Sequence, residues 1–186
     1  TGSGPNHTAA ETDEICVFCH TPHAATAGWQ PIWNRAVDNA TAFTTYGTTL
    51  ATTVVGTPSA RTRLCLSCHD GNTALVTLNN PPNYASGPLS MANNTISGNA
   101  LVDYDMSDDH PIGVTYTAGV ASLRTLTVVT GAGLVKITAL NTPEGDDGNS
   151  VVECASCHEP HSENPAFLPL AGGNQTSQLC ITCHVK

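Results

Sequence analysis

The sequence predicts a chain that is mostly loop, with short helices at four cysteine motifs, one small β-hairpin, and a core that its own apolar side chains do not supply. Three observations lead there. Charged residues make up 11% of the 186 and aromatics only 5%, where soluble domains usually carry roughly 25% charged residues. Polar uncharged residues replace them, 26 threonines included, and 16 Gly and 12 Pro interrupt nearly every apolar run, so a large self-sufficient core does not form. Finally, all eight cysteines fall into Cys-x-x-Cys pairs, each followed at once by histidine.

Charge narrows the function classes. The formal charge is −9, and the basic residues are two lysines, Lys136 and Lys186, with four arginines, so no basic stripe exists for phosphates and nucleic acid is excluded as a partner. No apolar run approaches the roughly 20 residues of a membrane span, and the start Thr1-Gly2-Ser3-Gly4-Pro5 lacks a basic and then apolar leader. A soluble, mature chain is expected.

The motifs are Cys16-Val-Phe-Cys19-His20, Cys65-Leu-Ser-Cys68-His69, Cys154-Ala-Ser-Cys157-His158 and Cys180-Ile-Thr-Cys183-His184. Cys-x-x-Cys-His is the attachment string of c-type haem. On a helical turn, residues i, i+3 and i+4 share a face, so two sulfurs reach the porphyrin vinyls while the imidazole meets the iron. With 8 His in 186 residues, four chance histidines at these positions would arise on the order of a few times in a million. Disulfides within such short loops are weak staples and need no histidine. Zinc ribbons need two pairs per ion and have no use for the adjacent histidines. Four covalent haems, proximally ligated by His20, His69, His158 and His184, are therefore expected, and the haem stack becomes the core.

His7, His23, His110 and His161 remain, one for each iron, with Met91 and Met106 the only thioether competitors. The balance that closes is bis-histidine ligation throughout, with no open coordination position. His23 and His161 recur in Cys-His-x-Pro-His, three residues after a proximal ligand. So short a tether keeps each on the same side of its own porphyrin, so it must ligate a neighbouring haem. The proline fixes the bend that aims it. The order of histidines and motifs then repeats, giving one tetrahaem domain over 1–186 made of a first dihaem module (1–78), a loop and hairpin insert containing His110 (79–149), and a second dihaem segment (150–186). His23 is expected to complete the haem on Cys65/Cys68, His161 that on Cys180/Cys183 and His110 that on Cys154/Cys157. His7 falls to the haem on Cys16/Cys19 or to one in a neighbouring molecule. Swaps between modules are the main rival wiring.

The elements follow in order. Thr57-Pro58 reads as a cap and first helical position leading into Cys65. Residues 79–100, with Pro81-Pro82, Gly87-Pro88 and Asn93-Asn94, read as loop. Asp103, Asp105, Asp108 and Asp109 do not match a calcium loop and are expected to form an acidic turn supporting the His110 imidazole. Leu123–Thr130 and Leu134–Leu140, separated by Gly131-Ala-Gly133, predict the hairpin, read as a spacer or cover. Ser150-Val-Val-Glu153 has capping-box spacing before Cys154, and Ser177 is placed to cap the turn into Cys180. Trp29 and Trp33 are expected against porphyrin faces. Glycosylation sequons stand at Asn6, Asn39, Asn93 and Asn174, a frequent pattern in so Thr- and Asn-rich a chain.

Together with Asp109-His110-Pro111-Ile112-Gly113-Val114, these strings resemble the doubled C-x-x-C-H multihaem cytochromes c. Within that class, size, haem count and layout are most similar to the extracellular tetrahaem filaments, the OmcE-type cytochrome nanowires. The resemblance implies a non-enzymatic electron conduit: four bis-histidine haems per subunit, head-to-tail stacking into a homopolymer, and one distal histidine supplied in trans. His7, on a Gly/Pro-containing arm, is the first choice for that ligand and His23 the second. Export through the periplasm to the cell surface or beyond, with redox partners or extracellular acceptors, is the matching localisation. A monomeric periplasmic or cell-surface electron shuttle is the alternative; a multihaem reductase would need a five-coordinate iron. Eight ionised propionates and four ferric porphyrin cores move the charge from −9 to about −13, so self-association must rest on packing and ligation.

Overall fold

The computed structural model describes residues 14–29, 32–37, 43–46, 50, 57–81, 94–116, 119–131, 139–142 and 145–185. In chain order the elements are β1 (Thr44–Thr45), α1 (Ala60–His69), β2 (Asp105–Met106), β3 (Val114–Thr115), α2 (Leu126–Gly131), β4 (Ala139–Thr142), β5 (Gly145–Val152), α3 (Cys154–Cys157) and α4 (Gln178–Cys183). Single 3-10 turns occur at Ile15–Phe18, Gly98–Ala100 and Pro165–Phe167. The rest of the described chain is turn and loop, as its Gly, Pro and Asn content dictates. Among the described residues no helix is long and apolar enough to cross a membrane.

The chain divides into two compact units, the division falling within α1 after Thr62. One unit, from Ser3–Ala42 and Arg63–Asp105, carries the first two motifs. The other, which includes Phe43–Thr62 and Met106–Lys186, carries the third and fourth. Residues of the expected insert fall in both units. Its first part joins the first unit, where Leu75 N–H donates to Asn94 O at 2.6 Å and Val102 N–H to His69 O at 3.0 Å. Its second part builds the sheet of the other unit.

The interior of the first unit is as polar as its composition. Trp33, Leu66 and Leu75 are buried, but so are Thr21, Asn34, Arg35, Ser67 and Asp70. Buried polar groups require partners, and these have them. Asn34 Nδ2 donates to Val17 O at 2.7 Å and Asn80 O at 3.1 Å, while its Oδ1 accepts from Asn80 N–H at 2.9 Å. Asp70 Oδ1 accepts from the N–H groups of Asn72 (3.0 Å) and Thr73 (2.8 Å). Gly71 follows at φ +71, a left-handed conformation in which a Cβ would lie 2.5 Å from Leu101 Cδ1. Gly71→Ala is expected to destabilise this unit by about 1–2 kcal/mol, read as a lowered midpoint in chemical denaturation.

In the second unit β5 is the central strand of an antiparallel sheet ordered β3-β5-β4. Val114 pairs with Val152 and Thr115 with Val151, while Ala139 pairs with Ser150 and Thr142 with Gly145. The hairpin is thus β4–β5. The expected first strand, Leu123–Thr130, instead contains α2 over Leu126–Gly131, where Val129 is fully buried beside Tyr116 and Leu123, Leu126, Val152, Leu179 and Cys183 pack around them. Tertiary burial overrides the weak β preference of Leu-Thr-Val-Val. Of the expected second strand, Ala139 and Leu140 fall in β4 and residues 134–138 lie outside the described residues.

The caps also shift. Ser59 Oγ, not Thr57, accepts a first-turn N–H, from Thr62 at 3.3 Å. Ser150 lies in β5, and the capping box forms three residues later, Glu153 with Ser156, Glu153 N–H donating to Ser156 Oγ at 2.9 Å. Ser177 sits at φ 56 and makes no cap bond; Asn174 Oδ1 accepts from Leu179 N–H at 3.0 Å instead.

Candidate haem-attachment sites

Every motif sits on a helical turn. In three of them the histidine N–H returns to the carbonyl of the first cysteine: His20 to Cys16 at 2.8 Å, His158 to Cys154 at 2.9 Å and His184 to Cys180 at 2.9 Å. In the second, α1 runs through Cys65, Cys68 and His69. Each turn therefore sets two sulfurs and an imidazole on one side of the backbone, as attachment requires.

The imidazoles are tied at one nitrogen. His69 Nδ1 lies 2.7 Å from Ala100 O, and His158 Nδ1 lies 2.8 Å from Ala166 O. A carbonyl only accepts, so Nδ1 carries the proton and Nε2 presents its lone pair outward. The candidate distal residues follow the same rule. His110 Nδ1 is 3.1 Å from Pro111 O, and His161 Nδ1 is 3.0 Å from Glu159 Oε1. The acidic turn before His110 was expected to orient its ring; the neighbouring Pro111 carbonyl has that place.

All eight thiols are free. Within the first unit the Cys19 thiol is pushed up to about 11, chiefly by burial and then by Cys68. Within the second, Cys157 is pushed up to about 11 by burial, then by Cys183, Cys154 and Cys180. These are neutral thiols at physiological pH, and their mutual influence places the first motif beside the second and the third beside the fourth. Among the described residues no three His, Cys, Asp or Glu side chains converge to hold a bare metal ion.

The two Cys-His-x-Pro-His strings are each fastened by the residue between His and Pro, a role not anticipated from the spacing. Thr21, 1% exposed, donates its hydroxyl to His23 O at 2.7 Å and accepts from Asn80 Nδ2 at 2.9 Å. Glu159 holds both the His161 N–H (3.3 Å) and its ring. His23 and His161 are exposed, and the His161 side chain is 76% so.

The fourth motif is held along its length. Residues 122–124 run beside 183–185, with Arg124 N–H donating to Cys183 O at 2.8 Å and Val185 N–H to Ser122 O at 2.9 Å. Asn174 Nδ2 donates to Cys180 Sγ at 3.3 Å, so this sequon residue serves the fourth motif with both ends of its amide. The rings of His110 and His184 are 6.5 Å apart between centroids. Two imidazoles on opposite sides of one iron, each with a metal–nitrogen bond of about 2 Å, have centroids about 6 Å apart. His110 thus lies edge-on to His184 of the fourth motif, whereas the sequence reading paired it with the third. His7 lies outside the described residues, as do Met91 and the sequons at Asn6, Asn39 and Asn93. Met106 is buried in the apolar interior.

The residues fit a porphyrin in one further respect. Trp33 Nε1 and Arg63 Nε, both in the first unit, are buried N–H donors without a protein acceptor. Propionate carboxylates are acceptors of the required kind. Trp33 meets His20 edge-on, ring centroids 5.7 Å apart, and the Arg63 guanidinium lies 4.7 Å above the Trp29 ring.

Glu153 begins the third motif and is buried. Burial raises its carboxyl above the ordinary carboxylate value, an effect reduced by the Thr62 and Ser59 hydroxyls. The Thr62 hydroxyl donates to Glu153 Oε2. A carboxyl with a raised folded value binds more protons folded than unfolded, so its contribution to stability is present below about pH 4.5 and is lost as pH rises through the folded value. Glu153→Gln is expected to remove this loss: melting curves taken upward from pH 4.5 should decline less in the variant than in the parent.

Comparison with known families gives a match of residues 148–186 to the doubled CXXCH motif family. Among curated proteins nothing matches the chain. The family match covers the third and fourth motifs and supports a multihaem c-type cytochrome involved in electron transfer, with haem bound covalently through the motif cysteines.

Proposed function

We propose that the protein is a subunit of an extracellular cytochrome filament, carrying electrons through four closely packed bis-histidine haems. Covalently held haem supplies one-electron redox chemistry. The chain's own residues do the rest. Cys16/Cys19, Cys65/Cys68, Cys154/Cys157 and Cys180/Cys183 are the thioether donors, and His20, His69, His158 and His184 the proximal ligands. His7, His23, His110 and His161 close the coordination.

The observation that carries this reading is the His110–His184 pair, two rings at the separation of opposed axial ligands, with His110 anchored at Nδ1. An iron so enclosed offers no place for a substrate, which favours electron transfer over catalysis. On this reading His110 serves the haem on Cys180/Cys183, which leaves His161 for another iron. Exposed, with Nε2 directed away from its anchor at Glu159, His161 is presented to a haem other than its own.

Polymerisation follows from the resemblance, and the charge bears on what kind of joint it needs. A chain at −9 before any propionate is counted repels its copies, so a ligand crossing between subunits is a stronger joint than ion pairs. Assembly is placed outside the cell after export through the periplasm. Negative-stain microscopy of the untagged exported protein should show filaments. Isolated globules with all four irons ligated within one chain would instead establish the electron shuttle.

A further inference from the structure

Arg35 is fully buried in the unit that carries the first two motifs. Its guanidinium donates to three backbone carbonyls: Nε to Ser67 O at 3.1 Å, Nη1 to Leu75 O at 2.7 Å and Nη2 to Ala74 O at 2.9 Å. Ser67 lies inside the second motif, between Cys65 and Cys68. The residue before Arg35, Asn34, donates its N–H to Cys19 O at 2.8 Å, inside the first. Arg35 is therefore set against both motifs at once. All three acceptors are neutral carbonyls, which solvate the cation without cancelling its charge. A buried charge is a poor device for stability alone, because desolvation costs about as much as the contacts return.

Asp70, next to His69, is also fully buried in this unit. Among the described residues the second unit has no buried counterpart of Arg35: Glu153, next to Cys154, is its buried carboxyl, while Arg124 is exposed and donates to Ile181 O at 2.8 Å.

We infer that Arg35 raises the reduction potentials of the two haems on Cys16/Cys19 and Cys65/Cys68 above those on Cys154/Cys157 and Cys180/Cys183, so that electrons in a partly reduced subunit reside on the first pair. The inference rests on the haem reading above. Reduction of a ferric site removes one positive charge, and a fixed cation in a low-dielectric interior favours the state with less positive charge. The chain thereby carries a built-in polarity, which a run of four equivalent sites would lack.

The test is an anaerobic spectroelectrochemical titration of the haem-loaded protein and its variants, each first assayed for haem content. The parent should reduce in two waves of two electrons. Arg35→Gln should shift the higher wave downward by roughly tenfold in the reduced-to-oxidised ratio, about 59 mV for one electron, and leave the lower wave in place. Arg35→Lys, which keeps the charge, should retain the parent titration even if it melts earlier. Asp70→Asn should move the higher wave upward. An Arg35→Gln protein holding four haems with an unchanged titration overturns the inference. If that variant does not accumulate, an unchanged titration for Asp70→Asn does so. A parent chain without haem refutes the underlying reading instead.

Discussion

Replacing Cys65 and Cys68 together by alanine is expected to yield a protein with three haems and a first unit that no longer folds stably. The motif lies on α1 where Leu66 is 2% and Ser67 1% exposed, and Arg35 is bonded to the Ser67 carbonyl. The unit's buried apolar side chains are few, Trp33, Leu66 and Leu75 among the described residues, so the covalent porphyrin is the larger part of what would fill its interior. The unit's other buried side chains, Asn34, Arg35 and Asp70 among them, are polar and add little apolar packing of their own. The loss should exceed about 4 kcal/mol, in the range reached when a metal or covalent staple is removed. Intact mass spectrometry gives the haem count, and proteolysis should cut within Arg63–Asp105 before it cuts the second unit. Retention of four haems, or resistance equal to the parent, would contradict this account of the core.

Replacing His7 by alanine is expected to abolish polymerisation while at least three haems stay bis-ligated. The filament reading puts an intersubunit joint at an iron, and with the chain at −9 before propionates are counted ion pairs do not replace it. Losing one axial nitrogen therefore removes the joint and opens one coordination position. Microscopy should show single particles. Electron paramagnetic resonance should show one new high-spin ferric site beside three low-spin ones, and carbon monoxide should bind one reduced haem per chain. Unchanged filaments would remove His7 from the trans role and direct attention to His23.

The sequence carried the chemistry of the sites more fully than their surroundings. The four Cys-x-x-Cys-His turns and their helical form follow from the i, i+3, i+4 spacing, and their grouping into two pairs from the repeated order of histidines and motifs. The polar, loop-rich architecture follows from Gly, Pro and Thr content. The hairpin was misplaced because Leu126–Gly131 and a strand have the same local pattern, and only the burial of Val129 against Tyr116 decides for helix. The caps moved by a few residues because Ser59, Glu153 and Asn174 compete with equally suitable neighbours. The wiring was least legible. His110 stands 44 residues before Cys154 and 70 before Cys180, and only the strand pairing of Val114 with Val152 and the packing of α2 on α4 bring its ring to His184. The orienting roles of Thr21, Glu159 and the Ala100 and Ala166 carbonyls had no signal in spacing, because a backbone carbonyl belongs to every residue.

On the proposed function, four covalent, six-coordinate haems form the core of this chain. The most direct measurement is the haem content of the purified native protein, by pyridine haemochrome assay and intact mass, with the spin state read on the same sample. Four haems per chain are expected, none extractable by acidified acetone and all low-spin. A chain with fewer than four, or with zinc or disulfides at the Cys-x-x-Cys pairs, would contradict that reading.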